Sequence, residues 1–164
     1  MIDYDRDAIM ELNSYETFDL APRENEKEFR EVVLSPIVDR RIEKAIVETL
    51  EEKGFVRNPG GAEFMVSFDT ITKTKTSVEA FSISTGNSLR GPPYGTIETS
   101  TISTRDYEEG TFIIDIIDPI SDELVWRGAL SRRLDKEAPD QEKIQQIVTT
   151  ILDRFPPLLE SPNP

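Results

Sequence analysis

Apolar and polar residues alternate most regularly between Gly110 and Ser131, in the run GTFIIDIIDPISDELVWRGALS. Side chains on a strand point alternately to two faces. Phe112, Ile114 and Ile116 therefore share one face, and Ile113, Asp115 and Ile117 the other. On a second arm Leu124, Trp126, Gly128 and Leu130 oppose Val125, Arg127, Ala129 and Ser131. Pro119, Ser121 and Asp122 supply turn chemistry between the arms. Pairing Ile116 with Trp126 keeps one face wholly apolar, whereas a slip by one residue mixes charge into it. That register sets Asp115 opposite Arg127, so a structural cross-strand ion pair is expected on the face turned away from the core. The competing reading makes Asp115 a catalytic acid.

Two segments carry the three- and four-residue spacing of one-faced helices. Ser35-Pro36 opens the first, as a serine cap followed by a proline that needs no helical N–H. Val38, Ile42, Ala45, Ile46 and Leu50 form its stripe, and Lys53-Gly54 closes it, the glycine free to adopt the left-handed C′ conformation. The second runs from about Pro139 to Phe155 on Ile144, Ile147, Val148, Ile151 and Leu152, and Pro156-Pro157 stops it. Strands are expected within Met1–Asp7 and Ser14–Leu20, joined by a turn or short helix around Ala8–Leu12. Ala62–Asp69 alternates clearly, Thr70–Ser77 is β-favouring but polar, and Val78–Ser84 and Ile97–Tyr107 read as further strands. Pro22–Glu31 is dense in charge and reads as a solvated loop. Gly86–Gly95, with Gly91-Pro92-Pro93, reads as a loop in which Asn87, Arg90 and Tyr94 could line a ligand or partner lip. The prediction is an α+β domain of two layers, one mainly antiparallel sheet with two helices packed on one face. A single domain spans 1–164, with 156–164 as a frayed tail.

The chain has 164 residues, with 19 basic against 32 acidic side chains and a net charge of −13. That balance disfavours nucleic acid and direct docking on anionic lipid, both of which need a basic face. Histidine and cysteine are absent. Thiol catalysis, histidine-based triads, disulfides and Cys/His zinc sites are therefore excluded. Carboxylates, Lys, Tyr, Ser and Thr remain. A carboxylate hydrolase could draw on Asp115 and Asp118, but strand parity sets them on opposite faces. A calcium site at Asp118, Ser121, Asp122 and Glu123 lacks the spacing of an EF-hand loop. No catalytic, cofactor or metal residue is assigned. The acidic, polar opening MIDYDRD is unlike a signal peptide, and none is expected within these residues.

Several fragments in order resemble a bacterial family, the domain of unknown function numbered 4136, found on envelope lipoproteins. They are Tyr4-Asp5, Ser14–Phe18, the Asp39–Ile42 helix with Lys53-Gly54-Phe55, Ala62–Val66, Tyr107–Thr111, Ile114-Asp115, Leu124–Gly128 and Phe155-Pro156-Pro157. The resemblance implies an exported protein of the periplasm or cell envelope, and the polar sheet face, the Gly-Pro loop and the lack of reactive residue types lead to the expectation of a non-enzymatic module that binds a protein or cell-wall component. It also implies tethering through a lipidated N-terminal cysteine, which this chain lacks. The family brings no catalytic residues, and Thr72–Lys75 and Gly91-Pro92-Pro93 depart from its pattern.

Overall fold

A computed structural model describes residues 1–22, 36–83, 99–134 and 139–159. The elements in order are β1 (Ile2–Tyr4), a 3-10 turn (Arg6–Ala8), α1 (Ile9–Ser14), β2 (Thr17–Leu20) and α2 (Pro36–Glu52). They continue with β3 (Val56–Arg57), β4 (Phe64–Ile83), β5 (Thr99–Ile117), β6 (Leu124–Arg133) and α3 (Gln141–Leu152). The six strands form one sheet in the order β1-β6-β5-β4-β2-β3.

The α+β class holds, but the expected sheet type and helix count need correction. The sheet is mixed, because β2 runs parallel to both β3 and β4 while the pairs β1–β6, β4–β5 and β5–β6 are antiparallel. The cause is topological. Adjacent parallel strands need a long crossover, and α2 lies in the connection between β2 and β3. β3 is only two exposed residues, too short to show alternation. Among the described residues there are also three α-helices rather than two, since α1 forms a short helix with Leu12 as its buried residue.

α2 and α3 pack against each other and against the face bearing Phe64, Val66, Ile114, Ile116 and Trp126, all within one buried cluster. Asp140 caps α3, its Oδ1 accepting from the Lys143 amide at 2.8 Å. Gly54 follows α2 at φ +98°, the left-handed conformation that glycine adopts without steric cost. Trp126 is fully buried, with its ring centroid 5.3 Å from that of Phe155. Gly128 is required two residues on, because a Cβ there would lie 2.5 Å from the Trp126 ring and 2.6 Å from Ile151. Pro157 is buried and its carbonyl accepts from Asn13 Nδ2 at 2.8 Å, which pins the chain after α3 to α1. Residues 160–164 of the expected tail, and 23–31 of the expected charged loop, lie outside the described residues.

Candidate functional site

The longest continuous feature is the β4–β5 ribbon. Polar residues do not interrupt it: Thr70–Ser77 and the strand beyond it are one element with Phe64–Asp69, and Thr99–Tyr107 runs unbroken into Ile117. Threonine, valine and isoleucine suit extended backbone whether or not the face is buried. Pairing runs from Met65↔Ile117 to Ile83↔Thr99. β2 stops at Val66 on one flank, and β6 stops at Arg133, opposite Glu109, on the other. From Thr74↔Glu108 outward the ribbon is therefore two-stranded among the described residues. Ten residues at about 3.4 Å each make an overhang of roughly 34 Å.

Side chains tie the base of this overhang together. Lys75 Nζ meets Glu109 Oε1 at 3.0 Å, and that hydrogen bond and charge raise the lysine pKa. Thr76 Oγ1 donates to Asp106 Oδ1 at 2.8 Å. The Arg133 guanidinium sits 4.7 Å from the Tyr107 ring centroid, a cation–π contact. Backbone direction follows from two bonds. The Val66 carbonyl accepts from the Ala21 amide, and the Glu108 carbonyl from the Leu134 amide, each at 2.8 Å. Even-numbered residues of both strands thus turn their N–H and C=O groups outward. On β4 this row includes Thr70, Thr72, Thr74, Thr76 and Val78, and no described strand pairs with it. Such an edge is a template for another strand.

The sheet face opposite the helices holds the charged pair. Asp115 stands opposite Arg127, and Asp3 faces Arg127 from the other side. Arg127 Nε and Nη2 donate to Asp115 Oδ1 and Oδ2 at 2.7 and 2.8 Å. The Asp115 side chain is 13% exposed and that of Arg127 41%. The Asp115 hydrogen bond raises the Arg127 pKa, burial opposes it, and the charges of Asp115, Asp69 and Asp3 add to the rise. Both oxygens of Asp115 are thereby engaged. Each oxygen keeps a second lone pair, but the two-pronged contact fixes the carboxylate in a cross-strand structural role.

The turn after β5 is built from the other acids. Asp118 Oδ1 accepts from the Ile120 amide at 2.8 Å, and the Asp118 amide donates to the Glu123 carbonyl at 2.9 Å. Asp122 takes φ +58°. These groups close a tight turn, and no group of three or more acids among the described residues could hold a metal ion. Tyr15, which sequence reasoning did not single out as a titrating group, packs on Phe64 with ring centroids 5.3 Å apart. Burial, followed by the charges of Glu11, Asp118 and Glu63, pushes its hydroxyl up to about 12. A cavity of about 10 Å³ between the sheet and α2/α3 is lined by Ile42, Phe68, Phe112, Ile144 and Ile151. That is space for about one water, in apolar surroundings that offer it few partners. The proposed lip residues Asn87, Arg90 and Tyr94 lie outside the described residues.

What these elements define is an α+β domain with its helices on one side of a mixed sheet and a β-ribbon carried beyond the core. The chain belongs to the family described as Domain of unknown function (DUF4136), whose model matches residues 1–157. No curated protein matches it. Among solved structures it is similar in fold to a PDZ domain protein from Parabacteroides distasonis, with a TM-score of 0.62 at 11% identity. That match covers 96% of this chain and 35% of the other, so this chain spans about a third of that protein. A looser likeness is to the PelC dodecamer from Paraburkholderia phytofirmans, with a TM-score of 0.45, 14% identity, and 85% and 87% of the two chains covered.

Proposed function

We propose that this domain is a non-enzymatic binding module of the bacterial cell envelope, and that it contacts a protein partner through the β4–β5 ribbon. The observation that carries the reading is the overhang itself. A two-stranded ribbon is marginally stable in water, yet this one runs ten residue pairs past its neighbours, and no described strand pairs with the outward backbone groups of β4 along it. Strand addition to such an edge supplies affinity through main-chain hydrogen bonds. Placement in the envelope or periplasm rests on the family resemblance.

A carboxylate hydrolase of the envelope has less support. Asp115 is held on both oxygens by Arg127, and Asp118 is spent on its own turn.

The test is a trimmed variant in which 74–108 is replaced by Asn-Gly, a two-residue hairpin turn. Immobilised intact and trimmed domains are exposed to solubilised envelope, and bound proteins are identified. The reading expects proteins retained by the intact domain and lost on trimming. Equal recovery by both forms, or retention of cell-wall glycan alone, would overturn it.

A further inference from the structure

The outer edge of β4 has a self-complementary sequence, and we propose that its partner is the same edge of a second copy of this chain, paired antiparallel about Thr76. This deepens the binding role proposed for the ribbon and rests on it.

Residues with outward backbone groups must meet each other, so even-numbered positions pair with even-numbered positions. A twofold axis at Thr76 then sets Thr74 opposite the partner's Val78, and position 72 opposite 80. Among the odd positions, Lys73 stands opposite 79, a glutamate, Lys75 opposite 77, a serine, and Ile71 opposite 81, a phenylalanine. Threonine meets threonine at the axis. Each contact joins residue types that stabilise cross-strand neighbours: opposite charges, β-branched pairs and an aromatic–aliphatic pair.

Neighbouring registers are worse. An axis at Lys75 sets the two copies of Lys75 directly opposite each other, and an axis at Ser77 sets position 79, a glutamate, opposite Lys75, which already has Glu109, and leaves Lys73 opposite position 81, a phenylalanine. An axis at Thr74 sets Lys73 against the partner's Lys75, and like charges directly opposite repel. An axis at Val78 sets Lys73 against Ile83 and Lys75 against Phe81. Lysines on an edge commonly guard it against pairing. Here they disfavour the competing registers, and the Thr76 register is the one that sets Lys73 opposite a glutamate. Lys75 is already paired within its own ribbon to Glu109, whereas Lys73 makes no ion pair among the described residues. Ile71, 46% exposed, and Val78, 65% exposed, lie along the same stretch of strand. The contact is isologous and closes on itself as a dimer rather than growing into a filament. It converts two marginal ribbons into a four-stranded sheet, the size at which strands become independently stable.

The chain has no cysteine, so single cysteines report geometry cleanly. Antiparallel residues that exchange both hydrogen bonds have Cα atoms about 5.5 Å apart, inside the disulfide range. Thr76→Cys is expected to oxidise to a covalent dimer. Thr74→Cys, whose copies stand four residues apart across the axis, is expected to remain monomeric alone and to cross-link when mixed with Val78→Cys. Sedimentation of the cysteine-free chain is expected to show a dimer. Lys73→Glu should weaken it by about tenfold or more, and Lys73→Glu combined with Glu79→Lys should restore it. These positions lie on the overhang or, for Lys73, at its base, and a melting curve checks that each variant keeps its core.

A monomer at every concentration, or equal cross-linking of Thr74→Cys and Thr76→Cys, overturns the inference. If the monomer still captures an envelope protein through the ribbon, the self-pairing fails while the binding role stands. If ribbon trimming changes neither property, both fail.

Discussion

Removing Arg127 should cost more stability than removing Asp115, although they are two ends of one contact. The pair is bidentate at 2.7 and 2.8 Å, the geometry of strong charge-assisted bonds. Its members differ in access to water, the Asp115 side chain being 13% exposed and that of Arg127 41%. Arg127→Met leaves a covered carboxylate stripped of two donors. Breaking a buried pair costs about 3–5 kcal/mol, and the partial exposure here brings the expectation to about 2–4 kcal/mol. Asp115→Ala leaves a guanidinium that can turn to water and towards Asp3 and Asp69, whose charges it already feels. Exposed pairs are worth about 1 kcal/mol or less, and the cover over the Asp115 end brings the expected cost to about 1–2 kcal/mol. The assay is urea unfolding of the wild type, both single variants and the double variant. The double variant should recover about 1–2 kcal/mol relative to additivity. A larger loss for Asp115→Ala than for Arg127→Met, or additive losses, would refute the reasoning.

Gly128→Ala should destabilise by about 1–3 kcal/mol through overpacking, because its methyl would lie 2.5 Å from the Trp126 ring and 2.6 Å from Ile151. A urea midpoint unchanged from wild type would contradict the packing of Trp126 under α3. Tyr15 gives a pH signature. Its folded pKa is raised to about 12 from 10.0, so the folded state holds the proton more tightly than the unfolded chain. The resulting stability is fully present below pH 10 and is lost as pH rises towards 12, a decline that solvent screening at this partly exposed hydroxyl holds to about 1 kcal/mol. Compared with wild type, Tyr15→Phe should remove this share of the alkaline slope. Parallel slopes for the two proteins would rule it out.

The alternation across Gly110–Ser131 was informative because one face of that hairpin is buried. Ile116 opposite Trp126 and Asp115 opposite Arg127 are the rows that keep charge out of the core. The stripes of α2 and α3 were legible for the same reason, since Ile42, Ala45, Ile46, Ile147, Val148 and Ile151 are all buried. The parallel placement of β2 and β3 was not legible. It depends on where a crossover lands, and Val56-Arg57 is too short and too exposed to carry a period. The ribbon was fragmented in the sequence reading because Thr70–Thr76 alternates threonine with isoleucine and lysine. On a strand with both faces wet, that pattern carries no burial signal. The alternation of threonine itself was the sign that one strand continued. Tyr15 was missed as a titrating group because its acidic surroundings come from Glu11, Glu63 and Asp118, far apart in sequence.

The central claim is that the ribbon beyond Lys73 and Glu109 belongs to contact and contributes little to the fold. The most direct measurement is the urea-unfolding free energy of the trimmed variant, taken at dilution so that association does not contribute. Among the described residues the buried cluster contains none of the overhang, so the variant should match the intact chain within about 0.5 kcal/mol, the range of surface changes. A loss of several kcal/mol, or failure of the trimmed chain to fold, would contradict the claim and return the ribbon to the core.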